Sequence, residues 1–188
     1  MMKIHPCFPS LIWELDVSVP QDLIDYCEKL SQESVGVKAS NACGSWHSTY
    51  ELHEDIYFKN TYLNNFIKHL DFLPNFKVDA CWINVNPKGS FNLQHMHPGS
   101  DLSLVWYIQT IENCGNIEFE NPHLCLRSNL IEFLNEDFVN DCYMNDHQVF
   151  SSVQSKCYVF PSDLPHLVQE NKSDVLRISM SANLSFFI

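Results

Sequence analysis

The stretch that decides the fold is FNLQHMHPGSDLSLVWYI, residues 91–108. It places two histidines, His95 and His97, one residue apart, and follows them with a Pro-Gly turn and an apolar run. Alternate side chains of a strand share a face, so both histidines are expected to lie on the face of Phe91 and Leu93. That apolar face is predicted to be buried, which would turn both imidazoles toward the interior.

Two inward imidazoles at this spacing can contact one metal ion, and divalent transition metals accept imidazole readily. A third ligand has to come from a distant strand. His166, which follows the Pro-rich turn of FPSDLPHLVQEN, is the best placed. An alternative interpretation of the H-x-H pair is two hydrogen-bonded histidines at the end of an ordinary strand. The other histidines in loop-like sequence are weaker candidates: His47, His53, His123 and His147.

A second polar pattern follows eleven residues after His166, in VLRISMSAN. Strand alternation puts Arg177, Ser179 and Ser181 on one face and apolar residues on the other. A guanidinium binds a carboxylate with two parallel hydrogen bonds, and a neighbouring hydroxyl adds a third. The alternative is a solvated strand face with an ordinary surface arginine.

The chain around these motifs changes its hydrophobic period near residue 76. Upstream, helices are predicted within VPQDLIDYCEKLSQES and NTYLNNFIKHLDFL, whose apolar residues recur at helical spacing. Downstream, about eight short strands alternate with turn signals, which indicates a sandwich or barrel. The turn NPKG, residues 86–89, is predicted to close a hairpin. The stretch 123–147 interrupts the strands and is expected to be a lid or a long surface loop.

Composition narrows the class of protein. The net charge is -12 with 11 Lys and Arg, which argues against duplex nucleic acid as a partner. The sequence has no apolar run of membrane-spanning length and no signal-peptide pattern, so neither a membrane nor secretion is expected. The eight cysteines show no C-x-x-C or zinc-finger spacing and are expected to stay reduced in the cytoplasm.

Five segments together resemble a known family: SNACGSWHS, WINVNPKGSFNLQHMHPGSDLSLVWYIQT, GNIEFENP, VFPSDLPHLVQEN and RISMSANL. They resemble the 2-oxoglutarate/Fe(II)-dependent oxygenases common in marine bacteria and their phages, which are relatives of the prolyl hydroxylases. The resemblance covers roughly residues 40–185, and QHMHPGS and RIS are its specific parts.

The resemblance implies a mainly β (α+β) fold, a double-stranded β-helix jelly roll with two or more flanking N-terminal helices. It implies one oxygenase domain over residues 1–188, with a helical and loop part at 1–75 and a jelly-roll core at 76–188. The expected location is the cytoplasm, or the host cytoplasm if a phage encodes the protein.

The resemblance also implies the site. His95, His97 and His166 would bind Fe(II), and Arg177 with Ser179 would bind the distal carboxylate of the cosubstrate 2-oxoglutarate. Trp106 or Tyr107 is the strand aromatic residue expected to help bind that carboxylate, and Asn84 is a weaker candidate to line the site. The implied reaction consumes O2 and couples oxidative decarboxylation of 2-oxoglutarate to hydroxylation of a C–H bond.

One position departs from the pattern of the wider superfamily, which uses two histidines and a carboxylate in the order H-x-D/E. His97 stands where that carboxylate is expected. We expect a three-histidine site, and Asp101 in HPGSD is the alternative ligand.

A rival class shares these motifs. Gly89, His95, His97 and Asp101 come close to the first cupin motif, and Pro161 precedes His166 as in the second. A cupin would be a metal-dependent isomerase, a dioxygenase independent of 2-oxoglutarate, or a binding protein, and a non-catalytic structural jelly roll is a third option. An arginine that faces the metal would favour the oxygenase.

The partners are less well defined by the sequence. A small molecule or a peptide is expected as the substrate, bounded by the loops at 40–50 and 123–147. The apolar C-terminal segment SANLSFFI suggests a possible homodimer.

Overall fold

The computed structural model describes residues 9–122, 135–141 and 145–187. Its strands are β1 Trp13–Asp16, β2 Asn41–Ala42, β3 Trp46–His47, β4 Phe76–Asn86, β5 Phe91–His95, β6 Leu102–Gln109, β7 Ile117–Glu120, β8 His147–Phe150, β9 Lys156–Pro161, β10 His166–Val168 and β11 Arg177–Phe186. Its α-helices are α1 Gln21–Glu33, α2 Ile56–Phe58, α3 Asn64–Ile67 and α4 Glu136–Asp141. A π-helix, Lys59–Leu63, joins α2 to α3, and 3-10 turns lie at Leu52–Glu54 and Lys68–Leu70.

The strands form two antiparallel sheets, which confirms the predicted jelly roll. The larger sheet has six strands in the order β1-β9-β6-β11-β4-β3, and the smaller has five in the order β2-β5-β10-β7-β8. The long pair β4 and β11 runs through the middle of the larger sheet, with Arg177 opposite Asn86 and Phe186 opposite Phe76. Strand β11 therefore includes most of the C-terminal segment SANLSFFI.

The helices cover the outer face of the six-stranded sheet. Helix α1 begins after Pro20, which suits the first turn of a helix, and it buries Leu23, Ile24 and Cys27. The second predicted helix is formed by most of the π-helix, by α3 and by the 3-10 turn that follows α3. This helical segment and α2 together bury Phe58, Tyr62, Leu63, Phe66 and Leu70. These residues and the outward apolar side chains of the sheet form the larger hydrophobic core. Because one face of each central strand packs into this core, only the opposite face can contribute side chains to a site.

A smaller core lies between the two sheets. Its buried members are Val105, Tyr107, Ile117, Phe119, Tyr158, Phe160 and Leu164. A cavity of about 380 Å³ opens beside it, lined by residues of both sheets. Strands β6 and β11 therefore send one set of alternate side chains into the helical core and the other set toward this cavity.

The turn at NPKG does not close a hairpin, and this prediction was wrong. Strand β4 belongs to the larger sheet and β5 to the smaller, so the turn carries the chain across the sandwich. The Ser90 N–H donates to the Pro87 carbonyl, and Gly89 takes a φ of 83°. Turn residues specify a reversal of the chain, and the pairing of the following strand decides whether the reversal is a hairpin.

Three other expectations concerned membrane-spanning helices, disulfide bonds and the stretch 123–147. No helix among the described residues is long and apolar enough to cross a membrane. The cysteines that the structure describes are all free of disulfide bonds. The predicted lid or loop at 123–147 falls mostly on residues 123–134 and 142–144, outside the described residues.

One buried amide ties the cross-sheet turn to the loop that precedes β11. The Asn171 side chain donates to the carbonyls of Asn86 and Val175, at 2.9 and 2.8 Å, and accepts from the Ser173 N–H. Its backbone also accepts from the Gly89 N–H. These bonds hold the start of β11 against the end of β4.

We expect Asn171→Ala to lower the free energy of unfolding by about 2 kcal/mol, because the buried Asn86 carbonyl loses this donor while the Val175 carbonyl keeps only the Ser173 hydroxyl. Urea denaturation monitored by circular dichroism measures this loss. Asn65→Ala, at an exposed position of α3, is the matched control and should stay within about 0.5 kcal/mol of the wild type. Equal effects of the two substitutions would contradict the structural role of Asn171.

Candidate metal centre and carboxylate pocket

Three imidazoles converge at the cavity. One ring nitrogen from each of His95, His97 and His166 lies within 4.8 Å of the others. The ring centroids are 4.4 Å apart for His95 and His166 and 5.0 Å apart for His95 and His97. Strand pairing explains part of this convergence, because His166 of β10 lies directly opposite His95 of β5.

The route by which His95 turns inward differs from the predicted one. Leu93 does not share a buried face with it and is 56% exposed, whereas Asn92 is buried and lines the cavity. The register between β5 and β10 shifts between His166 and Val168, so that three steps on β5 match two on β10. This bulge puts Asn92 and His95 on the same side of the sheet. The prediction of inward histidines holds, but the face assigned to Leu93 was wrong.

The three imidazoles are held in their neutral form. Burial, together with the neighbouring His95 ring, lowers the pKa of His97 to about 4 and that of His166 to about 3. Burial also lowers the pKa of His95. A neutral imidazole is the form that binds a metal, so the cluster needs no deprotonation near pH 7.

Each of the three rings uses Nδ1 in a hydrogen bond within the protein. His95 donates to the Leu93 carbonyl at 2.6 Å, and His166 donates to the Leu164 carbonyl at 2.8 Å. A carbonyl can only accept, so Nδ1 carries the proton in both rings. Their Nε2 atoms therefore carry the lone pairs that can bind a metal, although that of His95 also lies 3.4 Å from the Ser40 hydroxyl.

His97 is positioned by side chains instead. Its Nδ1 lies 2.9 Å from Asn183 Oδ1 and 2.9 Å from Ser103 Oγ. Ser103 in turn donates to Asn183 and is 2.9 Å from the Ser162 hydroxyl. One proton arrangement satisfies all these contacts, with Ser162 donating to Ser103 and both Ser103 and His97 donating to the amide oxygen.

A buried cation lies in the same cavity. Arg177 is 1% exposed, and its Nη1 donates to the carbonyls of Cys114 and Gln169 at 2.5 and 2.7 Å. Its Nη2 is buried and has no hydrogen-bond partner among the described residues. Gly115 allows this close packing, since a Cβ there would lie 2.7 Å from Nη1. A guanidinium in this state is a binding site for an anion.

The residues predicted beside Arg177 mostly face the cavity. Tyr107 and Ser179 both line it, and they lie opposite each other on β6 and β11. The Tyr107 hydroxyl is a second buried donor without a partner among the described residues. Burial raises the pKa of Tyr107, so its phenol keeps its proton. Asn84 lines the same cavity from β4, and its Oδ1 is unpartnered in the same sense.

Trp106 is not at this site, which corrects its predicted role. Its ring belongs to the helical core, 4.9 Å from the Phe66 ring, and its indole N–H donates to the Val17 carbonyl. Alternation along β6 sends residue 107 inward and residue 106 outward. The sequence left the choice between the two neighbours open because both positions of the strand are apolar.

Asp101, the alternative ligand, also lies elsewhere. Its carboxylate accepts from the Phe186 N–H at 2.7 Å, at the end of β11, and its side chain is exposed. It is outside the histidine cluster. The acidic alternative to His97 is therefore not supported by the structure.

Sequence reasoning missed several residues of the cavity. His47 was ranked as a weak loop histidine, yet it is buried, lies in β3 and lines the cavity. Its ring stacks on Trp82 at 5.5 Å and contacts Tyr50 at 4.9 Å. The pairing of β3 with β4 brings them together, and a two-residue strand leaves no detectable period in the sequence. Asn183 was missed because only its distance to His97 gives it a role.

The comparisons with known proteins agree with this geometry. The family model described as "Putative 2OG-Fe(II) oxygenase" matches residues 80–183, more than half of the chain, and the protein belongs to that family. The matched region contains the three histidines and Arg177. The protein is a 2-oxoglutarate-dependent oxygenase, and its cofactors are Fe(II) and 2-oxoglutarate with O2. Among curated proteins, no sequence matches significantly.

Solved structures share the fold at low sequence identity. A Pseudomonas putida prolyl-4-hydroxylase has a TM-score of 0.55 and 14% identity, over 94% of this chain and 93% of that chain. HygX from Streptomyces hygroscopicus, solved with nickel and 2-oxoglutarate bound, has a TM-score of 0.61 and 9% identity, over 93% and 82%. A Trichoplax adhaerens prolyl hydroxylase, solved with a peptide fragment of the hypoxia inducible factor oxygen degradation domain, has a TM-score of 0.58 and 13% identity, over 93% and 83%.

We expect Asn183→Leu to weaken metal binding by about 10- to 100-fold, because the His97 ring loses the acceptor that fixes its tautomer and orientation. Titration with Co(II) under anaerobic conditions, followed by the visible absorption of the bound ion, measures the affinity. Asn65→Leu serves as the control at an exposed position. An unchanged affinity in Asn183→Leu would show that the amide does not position the ring.

Proposed function

We propose that the protein hydroxylates a C–H bond of a small molecule or a peptide side chain. In this proposal His95, His97 and His166 hold the iron, and Arg177 with Ser179 and Tyr107 holds the distal carboxylate of 2-oxoglutarate. The observation that carries the proposal is a pair of buried donors, Arg177 Nη2 and Tyr107 OH, that find no partner in the described part of the chain. They lie in the cavity that also contains the three imidazoles.

The residues present fit both groups. Three neutral imidazoles are a suitable donor set for Fe(II), and they leave other coordination positions for the cosubstrate and oxygen. The guanidinium and the phenol offer two donors to a carboxylate, and Ser179 adds a hydroxyl. When bound, the iron and 2-oxoglutarate supply the oxidation of a C–H bond by O2, with release of succinate and carbon dioxide.

The chain itself supplies binding and orientation. The salt bridge to Arg177 would fix one end of 2-oxoglutarate, so that its other end is directed toward the histidine cluster. The apolar residues Ile117, Val168 and Phe160 line the same cavity and limit its access to water. A dry wall strengthens the interaction between the guanidinium and the carboxylate. No acid or base of the protein is needed for proton transfer in this scheme.

The cupin alternative shares the histidines and the double sheet, but it leaves Arg177 without a function. Burying a cation costs several kcal/mol unless an anion or strong acceptors compensate it. Two carbonyls compensate Nη1, and the free Nη2 requires a ligand of its own. This observation favours an oxygenase with a carboxylate cosubstrate. The cytoplasmic location and the homodimer remain predictions.

We expect His166→Ala to abolish Fe(II) binding. Arg177→Met should still bind Fe(II), but its affinity for 2-oxoglutarate should fall by about 100-fold. The reason is that one substitution removes a ligand and the other removes a charge-assisted pair. Anaerobic titration with Fe(II) and then 2-oxoglutarate, followed by the weak visible charge-transfer absorption of the chelate, separates the two steps. Normal absorption in both variants would refute the assigned site.

Neighbouring aromatic residues on β6 provide a matched pair of substitutions. Tyr107→Phe should lower the affinity for 2-oxoglutarate by about tenfold, because it removes one buried donor. Trp106→Phe should leave that affinity unchanged and lower the free energy of unfolding by about 2 kcal/mol, since the buried Val17 carbonyl loses its donor. Isothermal titration of the Co(II)-loaded protein and thermal unfolding measure the two effects. If Trp106→Phe weakened the binding of 2-oxoglutarate and Tyr107→Phe did not, the proposed position of the cosubstrate would be on the wrong face of β6.

A further inference from the structure

A second group of cavity residues, which we call the outer cluster, consists of His47, Tyr50 and Trp82. The ring centroids are 4.9 Å apart for His47 and Tyr50, 5.5 Å for His47 and Trp82, and 5.4 Å for Tyr50 and Trp82. The Trp82 ring also meets the His97 ring at 5.3 Å. A molecule bound on the outer cluster would therefore lie next to the predicted metal centre.

The outer cluster reaches from the mouth of the cavity into its interior. Tyr50 is 40% exposed, and Met96, another lining residue, is 50% exposed. His47 and Trp82 are 2% and 5% exposed, and Arg177 and Tyr107 are each 1% exposed. Tyr50 and Met96 therefore mark the entrance of the cavity, and a second molecule that enters past Tyr50 reaches the buried rings of His47 and Trp82.

Two hydrogen-bond acceptors face the cavity beside this cluster. The His47 Nδ1 donates to the Ser48 carbonyl at 2.5 Å, which leaves Nε2 as an acceptor without a partner among the described residues. Asn84 lies opposite His47 in the pairing of β3 with β4. The Asn84 Nδ2 donates to Ser181, and its Oδ1 is a buried acceptor that likewise lacks a partner in the described part of the chain.

These acceptors do not suit 2-oxoglutarate. The dianion has two carboxylates and a keto oxygen, and none of these groups can donate a hydrogen bond. A buried acceptor without a donor, such as Asn84 Oδ1, costs about 1–3 kcal/mol, so this part of the cavity favours a different ligand that carries O–H or N–H groups. This changes the role expected for Asn84 from the cosubstrate to the second molecule.

The charges of the cavity restrict that ligand further. Of the described residues that line it, none is acidic, and Arg177 is the one with a permanent charge. A protonated amine would find no counter-charge here and would be repelled by the guanidinium and by a bound metal cation. The donor group should therefore be neutral, such as an amide N–H or an alcohol.

We propose that His47 and Asn84 bind a neutral N–H or O–H donor of the primary substrate while Tyr50 and Trp82 contact its ring or apolar body. This inference rests on the proposed function, since it names the substrate class of the same site. The cavity of about 380 Å³ is at the small end of the range for ligand pockets. Beside 2-oxoglutarate it has room for one small ring compound or one side chain.

The substrate itself is unidentified, so four probes with one ring replace it: benzamide, N,N-dimethylbenzamide, benzoate and benzylammonium. They differ in charge and in whether a neutral N–H is present. Dissociation constants come from saturation-transfer NMR on the full chain, with and without Mn(II) and 2-oxoglutarate. In the protein loaded with Mn(II) and 2-oxoglutarate, where the cosubstrate occupies Arg177, we expect benzamide to bind about tenfold more tightly than each of the other three. Added Mn(II) should broaden its lines, which reports proximity to the metal.

Two substitutions test the acceptors while keeping the size of the side chain. His47→Phe retains a ring and Asn84→Leu retains the volume. Each should lower the affinity for benzamide by about tenfold and leave the affinity for N,N-dimethylbenzamide unchanged. His69→Phe, at an exposed position, is the matched control and should bind like the wild type. Thermal unfolding of each variant checks its fold.

The outcomes separate this inference from the proposed function. Equal binding of benzamide and N,N-dimethylbenzamide by the wild type overturns the inference, and this comparison requires no variant. The same holds if benzylammonium binds most tightly. If the protein gives either of these two results and still binds Mn(II) and 2-oxoglutarate, the inference fails but the proposed function stands. The expected order of probes in a protein that binds neither Mn(II) nor 2-oxoglutarate would support the donor site and refute the proposed function.

Discussion

A guanidinium buried between two sheets is the constraint on which the arrangement of the cavity depends. Arg177 is 1% exposed, and two carbonyls compensate its Nη1 while Nη2 has no partner among the described residues. A buried cation is costly unless an anion or strong acceptors complete its hydrogen bonds. Gly115 and the amide of Asn171, which fix the surrounding backbone, therefore hold the guanidinium in the position that the proposed carboxylate site requires.

The metal centre obeys a related constraint, because three imidazoles without a carboxylate must remain neutral and correctly oriented. Burial keeps the pKa values of His97 and His166 well below neutral. Backbone carbonyls fix two of the rings, and Asn183 with Ser103 fixes His97. Since an amide is a neutral acceptor, it orients His97 without adding charge to a cavity whose described walls contain no acidic residue.

The same strands build the core and the site. Along β11, Ile178, Met180 and Ala182 enter the helical core, and Arg177, Ser179, Ser181 and Asn183 face the cavity. Packing on one face therefore fixes the position of the chemistry on the other. This coupling explains why Trp106 and Tyr107, adjacent on β6, have unrelated roles in the structure.

The sequence by itself determined the double-sheet class, the convergence of three particular histidines and the polar face that contains Arg177. Periodicity indicated the sheets and the polar face, whereas the three histidines were indicated by the H-x-H spacing, by the position of His166 and by the family resemblance. Tertiary structure alone decided the cavity-facing neighbour on β6, the exclusion of Asp101, the exposure of Leu93 and the inward position of His47. Each of those depends on register between strands that are distant in the chain, and a bulge or a two-residue strand changes register without leaving a periodic pattern.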